Sequence, residues 1–359
     1  MKKVKLKEIC EVDWGNTNLT KQAYVENGEF LGVSAGGCDG RMDYYDFEAY
    51  TPVISAIGAN CGKMFLPSEP FVAIKNTITL KPRKEALGTY IYYALLDNHI
   101  PCRGGGQPFI CKTDTEEYII SCPSITEQIK IVDRLDKVSS LIEKSKTQLT
   151  KLDQLIKSRF IEMFGDYDLS HTQSDWKTIS EIGKVVGGAT PKTNIEEYWD
   201  GEYRWITPAE LDTNSGYIYD SVRKLTKAGI DSCSLQEMPI NTVILSSRAP
   251  IGKVAIAGNT FYCNQGFKNI ICNGEILPRY LYTILLLNTE YLNSLGRGAT
   301  FKEISKSIVE NIKIPVPPIK SQNQFGIFVE QVDKSKLAIQ KAIDKLETLK
   351  KSLMQQYFG

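Results

Sequence analysis

The sequence has little of what common metal sites and disulfide frameworks require. Only two histidines, His99 and His171, occur in 359 residues, which argues against a multi-histidine metal site. The nine cysteines are an odd number, and none forms a Cys-x-x-Cys pair of the kind found in zinc ribbons. We therefore expect no metal, and reduced thiols typical of a cytoplasmic protein.

Long apolar stretches and an excess of one charge are also missing. No segment approaches the ~18 consecutive apolar residues of a membrane span. The amino-terminal lysines are followed by no apolar segment of the signal-peptide kind, so we expect no membrane partner. The 43 basic and 42 acidic residues leave a net charge of +1. A DNA-binding protein with this balance must concentrate its basic residues on one surface.

What the sequence does have is an internal repeat. Residues 123–165 align without a gap on residues 317–359, 194 positions later, so that SRFIEMFG in the middle returns as SLMQQYFG. Four earlier segments match in the same order, with offsets of 173, 190, 190 and 192: 6–12 with 179–185, 53–64 with 243–254, 90–98 with 280–288, and 105–109 with 297–301. Five ordered matches indicate that the chain contains two equivalent halves.

The halves differ mainly in one place. The offset increases from 173 to 190 between Gly188 and Val243, where the second half contains YWDGEYRWITPAELDTNSG. The first half has the very different NGEFLGVSAGGCDGRMDYY. The framework is therefore shared, and the inserts diverge.

Each half predicts an α/β domain followed by a long helix. Gly, Pro, Tyr and short β-branched runs indicate strands joined by tight turns, and the next thirty or so residues lack Pro and contain only Gly326. We predict an α+β fold, with two tandem α/β domains separated by two long antiparallel coiled-coil helices in a pseudo-twofold internal repeat. The predicted boundaries are 1–122 for the first domain, 123–165 for the first helix, 166–316 for a linker and the second domain, and 317–359 for the second helix.

Apolar residues in the two long segments recur near a 3.5-residue period among lysines and glutamates, which is typical of coiled coils. A Ser or Thr after each preceding turn is the expected N-cap, and Gly165 is expected to end the first helix. The residues predicted to pack between the helices are Ile142, Leu149, Leu152, Ile156, Met163, Ile339, Ile343, Leu346, Leu353 and Tyr357.

Two equivalent halves tend to pair about a pseudo-twofold axis, as the subunits of a homodimer do. Antiparallel helices would then hold the two domains at opposite ends of a rod ~55–60 Å long. Domains held in this way could reach two DNA half-sites about one helical turn, or ~34–36 Å, apart.

The chain resembles the specificity subunit of type I restriction–modification systems. The resemblance lies in IPVPPIKSQNQFGIFVEQVD and IDKLETLKKSLMQQYFG of the second half, and in SITEQIKIVDRLD and LTKLDQLIKSRFIEMFG of the first. It also lies in WKTISEIGKVVGGATPKT, YRWITPAEL, SSRAPIGKVAI and NQGFKNI of the second domain. The first domain departs from this pattern, because it lacks the WI-TP-EL phrase and has IKNTIT in place of NQGFK.

This resemblance implies a subunit that is not itself an enzyme. Each target-recognition domain would read one half of a split double-stranded DNA sequence, and the helices would dock two adenine-N6 methyltransferase subunits. Those subunits would bind S-adenosylmethionine, so no cofactor is expected on this chain, and restriction–translocase subunits could join them for cleavage. The alternatives are a related methyltransferase–nuclease system without a separate motor subunit, a self-contained methyltransferase or nuclease, and a coiled-coil scaffold.

Missing motifs argue against a self-contained enzyme. The sequence has no [DNS]PP[YFW] phrase, which holds a flipped adenine in amino-methyltransferases. GANCGKM at 58–64 resembles a P-loop only superficially, because one residue is missing between the glycines and Met64 replaces the Mg²⁺-binding Ser or Thr. We interpret this segment, and RAPIGKV at 248–254, as a repeated β-hairpin.

Candidate DNA contacts lie in the hairpins, the glycine-rich loops CRGGGQPFICK and GRGATFKEI, and the inserts. Each candidate has a structural alternative: an ordinary exposed lysine, a surface salt bridge or a tight turn. We interpret Trp199 and Trp205 as core residues, and the loop at 32–41 as the counterpart of their segment. The candidates are Ser34, Arg41, Lys63, Lys75, Arg103, Gln107, Lys112, Lys192, Arg204, Thr207, Arg248, Lys253, Gln265, Lys268, Arg297, Thr300 and Lys302.

Overall fold

The computed structural model describes residues 2–97, 100–211, 216–233, 235–248, 250–298 and 302–359. The chain divides into two compact units. The first comprises Met1–Thr147 with Gln340–Gly359, and the second comprises Gln148–Ile339. Because the two long helices extend across these boundaries, each helix contributes residues to both units.

The first unit alternates short strands with a few helices. Its elements are β1 (Lys3–Lys5), α1 (Leu6–Ile9), β2 (Cys10–Trp14), β3 (Phe30–Ser34), β4 (Gly37–Met42), β5 (Val53–Ser55), β6 (Met64–Phe65), β7 (Phe71–Ala73), β8 (Thr77–Pro82), α2 (Gly88–Asp97), α3 (Lys112–Glu117), β9 (Ile119–Ser121) and the start of α4 (Ile125–Phe164).

The second unit repeats this order with additions. Its elements are β10 (Lys177–Thr178), α5 (Ile179–Ile182), β11 (Gly183–Gly187), β12 (Trp199–Ile206), β13 (Tyr217–Ile218), β14 (Arg223–Leu225), α6 (Lys227–Ser232), β15 (Val243–Leu245), β16 (Val254–Ala257), β17 (Tyr262–Cys263), β18 (Lys268–Cys272), α7 (Pro278–Leu287), α8 (Thr289–Ser294), α9 (Lys306–Glu310), β19 (Lys313–Ile314) and the start of α10 (Ile319–Phe358).

The sheets confirm the repeat strand by strand. The first unit contains sheets ordered β2-β8-β5-β6 and β4-β3-β7, and the second contains β11-β18-β15-β16-β13 and β14-β12-β17. In the smaller sheets, β3 runs parallel to β7 and β12 runs parallel to β17. Among the described residues, β13, α6 and α8 have no counterpart in the first unit. The extra residues of the second half therefore add a strand to the edge of one sheet and two short helices.

The long helices are close to their predicted bounds, and only one of the two predicted caps is present. The Ser124 hydroxyl accepts a hydrogen bond from the Glu127 amide at 3.4 Å at the start of α4. The second helix begins directly after Pro318, and Ser321 lies inside α10, so the prediction of a Ser or Thr cap was wrong there. Gly165 has a φ of +100° and ends α4, as predicted.

Within each unit the two long helices lie antiparallel. In the first unit, Arg134 Nη1 donates to the Tyr357 hydroxyl at 2.8 Å, and Lys146 Nζ lies 3.5 Å from Glu347 Oε1. In the second, Lys336 Nζ lies 2.6 Å from Asp153 Oδ1, and Phe160 packs on Phe325. Partner positions therefore decrease along α10 as they increase along α4.

Each hydrophobic core includes the end of one long helix and the beginning of the other. The core of the first unit contains Ile131 and Leu135 from α4 and Tyr357 from α10. The core of the second unit contains Phe160 and Phe164 from α4, with Phe325 and Val329 from α10. The long helices are thus part of each folded unit. No helix in the described parts of the chain is both long enough and apolar enough to cross a membrane.

A buried glutamine joins helix and domain in both units. Gln128 accepts from the Leu87 amide at 2.9 Å and donates to the carbonyls of Glu85 and Pro123 at 3.0 and 2.9 Å. Gln322 accepts from the Leu277 amide at 2.7 Å and donates to the carbonyls of Glu275 and Pro317 at 3.1 and 2.8 Å. Both glutamine side chains are fully buried, so these bonds satisfy amide groups that would otherwise be buried without a partner.

We predict that Gln128→Ala destabilises the first unit by about 3 kcal/mol, because the Leu87 amide and two carbonyls lose their partner inside the protein. Urea unfolding followed by circular dichroism would measure the loss. Gln154→Ala is the matched control, because Gln154 lies on the same helix with an exposed side chain. Equal stability of the two variants would contradict the prediction.

Candidate nucleic-acid interface

The predicted β-hairpins are confirmed in both units. Strand β5 pairs antiparallel with β6, and β15 pairs antiparallel with β16. The Ser55 amide donates to the Lys63 carbonyl at 2.8 Å, and the Ser246 amide donates to the Lys253 carbonyl at 2.9 Å. Ser246 is thus the counterpart of Ser55, whereas the ungapped alignment paired Ser55 with Leu245. The second hairpin is one residue shorter, so the two segments need a one-residue gap. The ungapped alignment of 53–64 with 243–254 was therefore wrong for the residues that precede this gap.

The glycine-rich loops also required a corrected alignment. Arg103 and Phe109 exchange two backbone hydrogen bonds of 2.8 and 2.9 Å, and Arg297 and Glu303 exchange two of 3.1 and 3.0 Å. The counterpart of Phe109 is therefore Glu303 and not Phe301. The offset is 194, the same as for the long helices, and it makes Arg297 the counterpart of Arg103.

The hairpin and the glycine-rich loop touch in each unit at the same point. In the first unit, Cys102 Sγ lies 3.5 Å from where a Cβ on Gly62 would be, next to Cys61. Burial, followed by a hydrogen bond with Cys102, raises the pKa of the Cys61 thiol to about 12. In the second unit the counterpart contact is made by Ile251, whose Cδ1 lies 2.5 Å from where a Cβ on Gly296 would be. Both candidate loops therefore belong to one local surface in each unit.

A groove adjoins the glycine-rich loop in both units. In the first unit it measures about 480 Å³ and is lined by Pro101, Arg103, Asp114, Glu117, Tyr118 and Ile119. In the second it measures about 630 Å³, and its lining includes Leu295, Arg297, Ile308, Asn311 and Ile312 at the corresponding positions. The groove is therefore present in both units, but its charge differs. Asp114 and Glu117 of the first unit are replaced by Ile308 and Asn311 in the second.

The second unit has a charged cluster beside its loop. Lys268 Nζ lies 3.1 Å from Glu303 Oε1 and 3.2 Å from the Ser247 hydroxyl, with only 12% of its side chain exposed. Arg248 pairs with Glu303 through the backbone. Lys253 Nζ donates to the Pro208 carbonyl at 3.2 Å. Lys268 is therefore held inside the unit, and Arg248 and Lys253 are half-buried at its edge.

The aromatic insert of the second unit forms its own small core. Trp199 and Trp205 are buried and pack edge-to-face, which confirms their interpretation as core residues. The Arg223 guanidinium lies 3.4 Å from the centre of the Trp199 ring. Arg204 Nε lies 3.2 Å from Asp220 Oδ1 without hydrogen-bond geometry. The position of Arg204 is therefore set by strand β12 and by charge attraction to Asp220.

Thr207 has a structural role in the same insert. Its hydroxyl donates to Glu210 Oε1 at 2.9 Å, and its amide donates to the same oxygen at 2.8 Å. The Glu210 amide donates back to Thr207, and this reciprocal arrangement caps the short turn of helix Pro208–Glu210. The hydroxyl proposed as a DNA contact is thus engaged within the protein.

The corresponding loop of the first unit is organised around one carboxylate. Asp39 accepts hydrogen bonds from Lys21, Tyr24 and Ser34 at 2.6, 2.9 and 2.7 Å. Burial opposes ionisation of Asp39, but these bonds together outweigh it and lower the pKa of the carboxyl. Ser34 is buried and turned inward, whereas Arg41 is 42% exposed and lies 3.1 Å from Glu69 Oε2.

The remaining candidates lie on the surface of their own units. Lys112 Nζ lies 3.0 Å from Asp13 Oδ1, Arg103 pairs with Asp114, and Gln265 accepts a hydrogen bond from Thr190. Thr300 lies outside the described residues. The other exposed candidates are Lys63, Lys75, Gln107, Lys192, Arg297 and Lys302.

None of the residues predicted to pack between the helices is exposed, and Ile156, Met163, Leu353 and Tyr357 pack in the hydrophobic cores of the two units. Ile142, Ile343 and Tyr357 are buried. The others are half-buried: Leu149, Leu152, Ile156, Met163, Ile339, Leu346 and Leu353.

Sequence reasoning missed Asp39, Arg223 and Glu303. The signal for Glu303 was present in the repeat, since an offset of 194 pairs Arg103 with Arg297 and places Glu303 opposite Phe109. Arg223 gave no signal, because its tryptophan partner lies 24 positions earlier with no periodic relation to it.

The framework and loops described above match one known family. The family called type I restriction modification DNA specificity domain matches residues 1–154 and 173–350. The chain therefore belongs to this family, in two tandem copies.

Similar proteins carry the same description. The MjaIX specificity subunit of a type I restriction enzyme from Methanocaldococcus jannaschii is 38% identical over 210 residues, which cover 57% of this chain and 48% of that protein. The EcoR124I/EcoR124II specificity subunit from Escherichia coli is 27% identical over 267 residues, covering 68% of this chain and 63% of that protein. The matches thus span between about half and two thirds of these relatives.

Solved structures share the fold over the whole chain. The S subunit of a type I restriction–modification system from M. genitalium has a TM-score of 0.67 at 18% identity, covering 100% of this chain and 96% of that one. A chain from a study of complex assembly and conformational transition of the type I system has a TM-score of 0.60 at 16% identity, covering 99% and 97%.

We predict that Arg223→Met destabilises the second unit by about 1 kcal/mol, because Trp199 loses a cation stacked on its ring. Thermal unfolding followed by tryptophan fluorescence would measure this, and the emission of the folded protein should shift as well. Lys224→Met, one residue along the same strand, is the control and should leave the emission unchanged.

We predict that the stabilising effect of Asp39 depends on pH. Its folded pKa is lowered from 3.8, so its contribution is present above that value and is lost as pH falls through the lower folded pKa. Asp39→Asn should therefore be less stable than the wild type at about pH 6, and the difference should shrink towards about pH 3. Urea unfolding across this range would measure it. Asp43→Asn removes an exposed carboxyl from the same segment, and a matching pH dependence in this control would contradict the prediction.

Proposed function

We propose that this chain is the DNA-reading specificity subunit of a type I restriction–modification complex. Each unit reads one half of a bipartite target in double-stranded DNA. The observation that carries the proposal is one framework, built twice with matching strand order, that bears different inserts. A shared framework places both readers in the same way, and different inserts allow the two half-sites to differ.

The family description and the relatives support this proposal. The matching family is named for DNA specificity, and the two relatives described above are named as specificity subunits. The basic side chains of the hairpins and glycine-rich loops give each unit a surface suited to the phosphate backbone. All nine cysteines are free thiols, in keeping with a cytoplasmic location beside the DNA.

Methylation and cleavage belong to partner subunits in this proposal. Two adenine-N6 methyltransferase subunits would dock on the long helices and supply the S-adenosylmethionine site, and restriction–translocase subunits could join them. Both helices leave large apolar side chains exposed, as a docking surface requires. These side chains are Ile129, Leu141, Leu155, Ile319, Ile327, Leu337 and Leu349.

We predict that exchanging the insert at residues 190–240 for that of another specificity subunit changes one half of the methylated motif and leaves the other half intact. The insert carries the elements that the first unit lacks, so it is where the reading of the second half-site should differ. Sequencing that detects N6-methyladenine, in cells producing the chain with its methyltransferase subunits, would measure the motif.

The same exchange separates the DNA-reading proposal from a pure scaffold. A scaffold would bind its partners without altering the methylated sequence, so an unchanged motif in a folded, partner-bound variant would contradict the proposal. Loss of partner binding after charged substitutions at Leu152 and Leu346 would follow from either function and does not discriminate between them. Methyl-donor binding by the isolated chain would favour a self-contained enzyme.

A further inference from the structure

An arginine occupies the same backbone position in both units. Arg103 and Arg297 each open a turn that is closed by two mutual backbone hydrogen bonds, to Phe109 and to Glu303. The residue after each turn is anchored identically, since the Ile110 amide donates to the Ala56 carbonyl at 2.8 Å and the Ile304 amide donates to the Ser247 carbonyl at 2.9 Å. The match is therefore structural and does not depend on how the loop sequences are aligned.

A lysine occupies the same position in both hairpins. Lys63 and Lys253 each follow a glycine in the left-handed region, with φ of +87° at Gly62 and +88° at Gly252. Because the hairpin touches the glycine-rich loop in both units, the lysine and the arginine lie on one surface. The two backbone positions therefore carry the same two cations in both units, but Lys63 is exposed, whereas Lys253 is half-buried and its Nζ donates to the Pro208 carbonyl at 3.2 Å.

The surroundings of these cations are not the same. Phe109 is replaced by Glu303, and Pro108 is replaced by Lys302. Asp114 of α3, which pairs with Arg103, is replaced by Ile308 of α9. Identical cations thus persist among neighbours that have diverged in size, polarity and charge.

Under the proposed function, the two units face DNA of different sequence but identical backbone. Residues that read bases should differ between the units, and residues that hold phosphates can be the same. We propose that Arg103 and Arg297, together with Lys63 and Lys253, contact phosphates of the DNA backbone equivalently in both units and do not select bases. This inference rests on the proposed function and assigns the role of these four residues within it.

The two arginines differ in whether the residue at the position of Asp114 supplies a carboxylate to pair with them. Arg103 is held by the Asp114 carboxylate, whereas Ile308 offers no carboxylate to Arg297, and Glu303 is engaged by Lys268. The Arg103 side chain is 61% exposed, although that of Asp114 is only 22% exposed, so solvent weakens this ion pair and DNA can displace it at a small cost. Removing Asp114 should therefore strengthen DNA binding, by up to about fivefold, equally for all sequences.

The test uses the full chain in complex with its methyltransferase subunits, and two duplexes of equal length, one with the methylated motif and one with it scrambled. We predict that Arg297→Gln weakens binding to both duplexes by the same factor and reduces the slope of log affinity against log salt concentration by about 0.9. The methylated motif should not change. Arg297→Lys keeps the charge and should restore the slope, because a phosphate requires only a cation whereas guanine requires the guanidinium fork.

Two results would overturn the inference. One is a methylated motif that is relaxed or altered in Arg297→Lys or Arg297→Gln, since this assigns base reading to the arginine. The other is an unchanged salt slope in Arg297→Gln. Increased affinity in Asp114→Asn supports it, and unchanged or lower affinity counts against it. A wild-type complex that cannot distinguish the two duplexes counts instead against the proposed function.

Discussion

The hydrogen bonds of two buried glutamines fix the helices to the domains. Gln128 and Gln322 each bind one amide and two carbonyls at the junction where a domain meets its long helix. Tyr90 and Tyr280 add a bond at the same junction, to the Ser121 and Pro315 carbonyls. The glutamine side chains are shielded from water, and binding one amide and two carbonyls requires a side chain with both donor and acceptor capacity. The position of each helix start, and hence the register of its apolar face, depends on this contact.

The strand framework explains how the two halves can diverge without losing equivalence. Backbone hydrogen bonds define the sheets, the hairpin and the glycine-rich turn, and these bonds do not depend on most side chains. Exceptions are the positions that need a left-handed backbone, such as Gly62 and Gly252, where the same residue type persists. Side chains on the surrounding surface are free to differ, which is how one architecture can carry two different inserts.

Much of this fold could be predicted from the sequence because the repeat itself supplied the evidence. The two long helices, the mixed domains and the hairpins follow from periodicity and from matched segments. The exact equivalences in the loops could not be predicted, because a one-residue gap before Lys253 and a two-residue shift around Arg297 leave no signal in short dissimilar segments. Contacts between distant residues, such as Arg223 on Trp199, depend on strand pairing that no local pattern encodes.

The packing of Met354 and Tyr357 in the core of the first unit has a consequence for synthesis. A ribosome completes all of residues 148–339 before it reaches these two positions. The first unit therefore waits, with an open apolar surface, while the second unit is translated and can complete its core from Phe160 and Phe164 onwards. The half that is synthesised first thus receives these two residues of its core only after the other half has been translated.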